Sequence, residues 1–313
     1  MASTEHPSDV IPAARALRKS RMRWRVFAIV ALGIALAALY ARLADGFQPP
    51  QDYIALVVVE GIITTDARRM AVLEDLAEDE QVKGVIVRIN SPGGSTAGGE
   101  ELYEALTKLR TEKPVVAVIN ELGASAAYMS AIATDRIFAR RLSIVGSIGV
   151  LFSHVDASGL LDTIGIDLDK VASGPLKAEP DSDEPLEGEV RASLQALVDD
   201  SFNWFVDIVA ERRNLNRQEA LELADGRIVN GRVALNSGLI DDLGGEQEAI
   251  AWLEEQGIEK DLPVLRAFPL PVSDWERFNN IFGGDIASLL GLDLASVDAV
   301  ALDGLVSVWH VGP

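Results

Sequence analysis

The chain has 313 residues, 48% of them hydrophobic, enough apolar material for one large core or two modest ones, which excludes a mainly disordered polymer. Its formal net charge is -20, and after Arg25 the imbalance deepens to 22 basic against 46 acidic residues. A body so acidic is repelled by phosphate backbones, which excludes nucleic acid as a partner. Cysteine is absent, removing disulfides, thiolate metal sites and a cysteine nucleophile.

Six cations (Arg15, Arg18, Lys19, Arg21, Arg23, Arg25) precede an uncharged apolar run, Val26 to Tyr40, that extends through Trp24 and Leu43. A membrane-spanning helix needs about 20 such residues, so residues 24–44 read as a transmembrane anchor into a lipid bilayer. The flanking cations place residues 1–23 in the cytoplasm as a basic tail and everything beyond residue 45 on the other side. A cleaved signal peptide is the competing reading, since Ala-x-Ala spacing occurs at Ala35 to Ala37. A buried core helix fits the six cations poorly. Residues 45–52, with Pro49-Pro50, form a linker that ends the helix.

The folded domain is expected over 53–262. Ile54–Val59 is a continuous β-branched run, as in a strand covered on both faces. Arg68–Glu78 has helical periodicity, Val85–Ile89 reads as a second strand, and Asn90-Ser-Pro-Gly-Gly-Ser95 as a loop leading to a helix from about Ala97 to Arg110. Val115–Ile119 makes a third strand, and a helix of small residues opens near Ser125. Strands and helices alternating at this spacing predict an α/β fold with a mostly parallel sheet and flanking helices. Ligands of such sheets bind at the strand C-termini, where 90–95 and 121–125 fall. Short strands are expected around Ile137, Ile144–Val145, Ile148–Leu151 and Asp167–Ala172. Glu187–Arg213 reads as a long amphipathic helix whose stripe of Leu194, Leu197, Val198, Phe202, Phe205, Val206 and Val209 is core material. The stretch 263–313 is an extension to which pattern assigns no role.

Three segments carry candidate chemistry. The consecutive Gly93-Gly94 lets backbone N–H groups approach a carbonyl oxygen, as an oxyanion hole needs, although Pro-Gly-Gly also makes ordinary turns. Ser125, amid Gly123-Ala124 and Ala126-Ala127, is either a simple helix N-cap or an exposed nucleophile followed by the N–H of Ala126. Lys177 lies in the loop Ser173-Gly-Pro-Leu-Lys177. Most loop lysines are solvated charges, and a lysine acts as a base only when desolvation has made the neutral amine accessible.

Taken in order, Asn90-Ser-Pro-Gly-Gly94, Gly123-Ala-Ser125-Ala-Ala-Tyr128, Asp135-Arg-Ile-Phe-Ala139, Val145-Gly-Ser-Ile-Gly-Val150, Ser173-Gly-Pro-Leu-Lys177 and Asp225-Gly-Arg-Ile-Val-Asn-Gly231 resemble the SppA-type signal peptide peptidases. These are serine/lysine proteases of the Clp-protease and crotonase fold group. The resemblance spans roughly residues 53 to 250. It implies Ser125 as nucleophile, Lys177 as general base, Ser147 as the hydroxyl orienting the lysine amine, and Gly94 with Ala126 as oxyanion donors, Gly93 being the alternative. The family usually has Gly-Gly after the nucleophile; Ala126-Ala127 here predicts a narrower neighbouring pocket. The resemblance further implies hydrophobic peptides and signal peptide remnants as substrates, no metal or cofactor, a periplasmic or other extracytoplasmic catalytic domain, and a homo-oligomer, an octameric ring with sites shared between neighbours. Two rivals accompany it: a Ser125/His154/aspartate protease of Clp type, and a catalytically silent membrane-tethered scaffold or peptide-binding protein.

Overall fold

The computed structural model describes residues 24–34, 36, 51–269 and 306–308. The chain divides into two units, residues 1–51 and 52–313. In the first, residues 24–34 and 36 are helical and exposed, and the rest of the expected anchor and tail lies outside the described residues. Among the described residues no helix is long and apolar enough to cross a membrane.

The second unit is built on β1 (Tyr53–Ile63), β2 (Val82–Ser95) and β3 (Val115–Ala124), joined by α1 (Ala67–Glu78) and α2 (Thr96–Glu112). These strands run parallel, with Val57 opposite Val87 and Val87 opposite Ala117. After α3 (Ala126–Ile132), β3 forks: its first half pairs with β4 (Arg136–Ala139) and its last residues with β5 (Ile144–Gly146). Then follow α4 (Ser158–Ile164), α5 (Gly188–Arg213), α6 (Arg217–Leu223), β6 (Ile228–Asn230), α7 (Gly231–Asn236), β7 (Asp242–Leu243), α8 (Glu246–Glu255), β8 (Val264–Phe268) and β9 (Val306–Val308). Among the described residues the sheet runs β6-β5-β3-β2-β1-β8, with β7 on β4 and β9 on β2. The α/β reading with a mostly parallel sheet and flanking helices therefore holds, and β5–β6 and β2–β9 are antiparallel pairs.

Strand parity explains the layers. Ala55, Val57, Val59, Val85, Val87, Ile89, Val115, Ala117 and Ile119 face one side, packing with Leu102, Leu106, Tyr128 and Phe205 from α2, α3 and α5. Ile54, Leu56, Val58, Ile86, Val116 and Val118 face the other, against Ala249 and Leu253 of α8. Period-2 geometry turns an unbroken apolar run into two buried faces. Each such side chain stabilises the fold by roughly 1.5–3 kcal/mol on burial. Helix starts are set by short polar side chains: Asp66 accepts from the N–H groups of Arg68 and Arg69 at 2.9 and 3.1 Å, Ser95 from Gly98 at 3.1 Å, and Asn230 from Val233 at 3.0 Å.

Three expectations are corrected. Residues 90–95 are the irregular end of β2, shifted in register between Ile89 and Ser91, rather than a loop. Asp167–Ala172 forms no strand; with three charged residues among six, it stays irregular and exposed. Of the long helix, only the second half is core: Phe205, Val206 and Val209 are buried, while Leu197 is 51% exposed. That half is fastened by Arg212, which donates to the carbonyls of Ile132 and Thr134 at 2.7 and 2.8 Å and so satisfies carbonyls at the buried C-terminal end of α3.

At the start of α7 the backbones nearly touch. A Cβ on Gly231 would stand 2.1 Å from the carbonyl oxygen of Arg140, so Gly231→Ala forces two segments apart. It is expected to destabilise the chain by about 3 kcal/mol, read as a lower midpoint in urea unfolding.

Candidate active site

Ser125 ends β3 and opens α3. Its backbone, φ 57° and ψ −122°, lies where L residues rarely go. The conformation is held by its own N–H, which donates to Gly146 O of β5 at 2.8 Å, and by its carbonyl, which accepts from Met129 N at 2.9 Å. A strained strand-to-helix turn of this kind is how a nucleophilic serine is presented. Ser125 occupies the N-cap position, yet its side chain makes no cap hydrogen bond, so the simple N-cap reading is not realised. The residue is 1% exposed.

Ser147 follows directly on the Gly146 that receives Ser125. It too has positive φ, 51°, after Gly146 at 104°, and its N–H donates to Arg227 O at 2.8 Å. That carbonyl sits in a turn closed by Asp225, whose carboxylate accepts from the Arg227 backbone N–H at 3.0 Å and from its guanidinium Nε at 2.8 and 2.7 Å. The hydrogen bond from the Arg227 side chain, and after it the one from the Arg227 backbone N–H, hold the Asp225 carboxyl below the usual carboxylate range. The Asp225–Gly231 motif thus matters through a backbone oxygen, that of Arg227, a role no side-chain type could signal.

The glycine pair lies beside this turn because Ser91 on β2 is opposite Gly123 on β3. Gly93 has φ 111°, and a Cβ on Gly94 would lie 1.7 Å from Ile63 O, so neither position tolerates a side chain. The Ser91 hydroxyl donates to Gly61 O at 2.6 Å and accepts from Gly93 N at 3.1 Å, bracing the tip. Opposite Gly93–Ser95 runs β9, antiparallel. Ala126 and Ala127 are both fully buried within the core. A Cβ on Gly99 would stand 3.0 Å from that of Ala126, so Gly99, unremarked in the sequence, is what leaves room for the extra methyl.

The structure therefore gathers Ser125, Ser147, Gly93, Gly94 and Ala126 around the ends of β2, β3 and β5. Lys177 stands on an exposed arm between β5 and α5, in a turn where its N–H donates to Gly174 O at 3.1 Å. His154 is on the same arm, with its Nε2 against Glu184 O at 3.1 Å. Among the described residues no group of acidic and histidine side chains is placed to hold a metal ion.

A family model for peptidase family S49 matches residues 107–259. A protein from Methanocaldococcus jannaschii, provisionally named a protease, is 38% identical over 58% of this chain and 59% of its own length. One from Synechocystis sp., also provisionally named a protease, is 38% identical over 64% of this chain and 72% of its own. One from Enterococcus faecium, provisionally named signal peptide peptidase SppA, is 30% identical over 76% of this chain and 67% of its own. The chain thus spans about three fifths to three quarters of these relatives. Fold, site and relatives together define the class as serine peptidase. Within it, the chain belongs to peptidase family S49 and is of the SppA type.

The helix behind Ser125 is anchored by Tyr128, fully buried, whose hydroxyl donates to Leu239 O at 2.8 Å. Tyr128→Phe leaves that carbonyl unsatisfied. A loss of about 1–2 kcal/mol in urea unfolding is expected, with the serine's reactivity toward a fluorophosphonate probe retained in the folded protein.

Proposed function

We propose that the chain is a membrane-anchored serine endopeptidase that degrades cleaved signal peptides and other hydrophobic peptides, with Ser125 as nucleophile and Lys177 as general base. The observation that carries the reading is the strained turn at Ser125 beside the Gly93-Gly94 tip. It is supported by β9, which runs antiparallel to Gly93–Ser95: an extended peptide fits this edge and can add to it through main-chain hydrogen bonds.

In the proposed reaction the neutral Lys177 amine takes the proton from Ser125 Oγ while Oγ attacks the peptide carbonyl carbon. The tetrahedral oxyanion is stabilised by the N–H groups of Gly94 and Ala126, with Gly93 as the alternative donor. The C–N bond then breaks, and the leaving amine takes the proton from the Lys177 ammonium. Water, deprotonated by Lys177, attacks the resulting ester; the acid departs and Ser125 regains its proton. Ser147 orients the lysine amine by hydrogen bonding. No metal or cofactor takes part.

Residues 24–44 are proposed as the anchor in the cytoplasmic membrane, with residues 1–23 inside and the peptidase domain periplasmic or otherwise extracytoplasmic. An anchor confines enzyme and apolar peptide to one surface. The exposed arm supports a homo-oligomer, proposed as an octameric ring with sites shared between neighbours: Val155, Leu160, Leu168 and Val171, all on this one arm, are each more than half exposed in the single chain, apolar area that a neighbouring copy would cover.

Ser125→Ala and Lys177→Met should each lower kcat/KM on an apolar fluorogenic peptide by about 10³-fold or more, whereas His154→Ala should leave it nearly unchanged. Undiminished turnover in Ser125→Ala would mean a silent scaffold. Co-assembling Ser125→Ala with Lys177→Met chains should restore part of the activity if sites are shared; none after verified co-assembly would place both residues in one chain.

A further inference from the structure

We propose that Lys170 is the positioning residue for the base, closing the neck of the loop that carries Lys177. The inference rests on the reading of Lys177 as the base. It begins from a difficulty: the proposed base sits on the least regular part of the described fold. Between β5 and α5 the short helix α4 buries none of its residues, and Val171 at one end of the Lys177 loop is fully exposed. Packing does not fix such a loop, so its own polar ties must.

Lys170 supplies the tie at the neck. Its ammonium pairs with the carboxylates of both Glu179 and Asp181, so residues 171–178 form a short closed loop, with Lys177 just inside the neck, ahead of Glu179. Within the neck Asp181 N donates to Glu179 Oε2 at 3.3 Å. The returning strand is fastened to the arm's first segment, with Ala157 N donating to Ser182 O at 2.7 Å and His154 Nε2 against Glu184 O at 3.1 Å. Inside the loop, Lys177 N donates to Gly174 O at 3.1 Å and Ala178 takes a positive φ of 66°.

A lone exposed ion pair holds little. This one differs in two respects. The cation is shared by two carboxylates, one of which, Glu179, has a side chain only 7% exposed. Glu179 also faces the carboxyl of Glu184, which its neighbour pushes above the usual range. Without Lys170, the carboxylates of Glu179 and Asp181 lose the cation that joins them to the other side of the neck, and the neck is released. The two carboxylates hold the Lys170 ammonium charged, and a charged lysine cannot take a proton. Paired in this way with two carboxylates, Lys170 is fitted to support the base rather than to be it.

The experiment measures kcat and KM of the full-length chain on an apolar fluorogenic peptide for Lys170→Met, Lys170→Arg, Lys177→Met and the double variant Glu179→Gln/Asp181→Asn. Lys170→Met is expected to lower kcat by about tenfold to a hundredfold while KM stays within about twofold, because the edge that binds peptide is untouched. Lys170→Arg, which keeps the charge and the two contacts, should recover most of the loss, and the double variant should reproduce it even if Lys170→Met folds poorly. Unchanged kcat in Lys170→Met and in the double variant, with Lys177→Met inactive, would overturn the positioning role alone. An active Lys177→Met would overturn the base assignment, and this inference with it. An arginine variant as slow as the methionine one would also count against it.

Discussion

The site depends on how closely four glycines let the backbone approach its neighbours. A Cβ on Gly94 would lie 1.7 Å from Ile63 O, one on Gly98 2.7 Å from the backbone of Thr64, and one on Gly99 3.0 Å from both the Ala126 Cβ and the Met129 sulfur. On Gly123 it would meet the Ile119 side chain at 2.9 Å. Together they seat the tip of β2 and the first turn of α2 against the end of β1 on one side and α3 on the other. Any side chain larger than hydrogen at Gly94 would push the tip away from β1, and with it the N–H groups proposed to meet the oxyanion. Two faces of the same sheet supply the rigidity behind this seam, through side chains that are almost wholly buried.

Against that rigid background, two adjacent turns at the site are strained. Ser125 and Ser147 are non-glycine residues with positive φ, each costing about 1–3 kcal/mol. They are coupled through Gly146, whose carbonyl receives Ser125 N while the next N–H, that of Ser147, is received by Arg227 O. Each link is a main-chain hydrogen bond between elements far apart in sequence, so the turns cannot relax independently. The Asp225–Arg227 pairing and the Tyr128 anchor lie at the outer ends of this chain of contacts, and neither needs to touch a substrate to influence where the serine points.

How much of this was legible in the sequence follows from what each residue does. The strands β1 to β3 and the helices between them were readable because unbroken β-branched runs and 3.6-residue periodicity report burial directly. Ser125 and the glycine pair were readable as candidates because small residues crowd around them. The forking of β3 onto β4 and β5 was not, since strands of three or four residues carry too few positions for a period. Nor was the role of Arg227, which acts through its carbonyl, or that of Gly99, whose partner Ala126 lies 27 positions on. The long helix misled for a different reason. Its apolar stripe is continuous, but only the half near Arg212 and Arg213 is buried; Leu197 repeats the pattern and stays half exposed among the described residues.

That unmet half of α5 and the exposed arm before it belong to one argument. The nucleophile is held by the densest part of the fold, the proposed base by the sparsest. A catalytic pair needs its reacting atoms placed within fractions of an ångström, and an arm with fully exposed Val171 and half-exposed Leu176 is not placed to that tolerance by apolar packing within the single chain. Two sources of order remain. The ion cluster of Lys170, Glu179 and Asp181 fixes the loop internally, and burial of the arm's apolar residues against a neighbouring copy would fix the arm externally. Making the base depend on assembly would keep an isolated chain inactive, a useful property for a peptidase if, as proposed, it takes its substrates by their hydrophobicity rather than by a particular sequence.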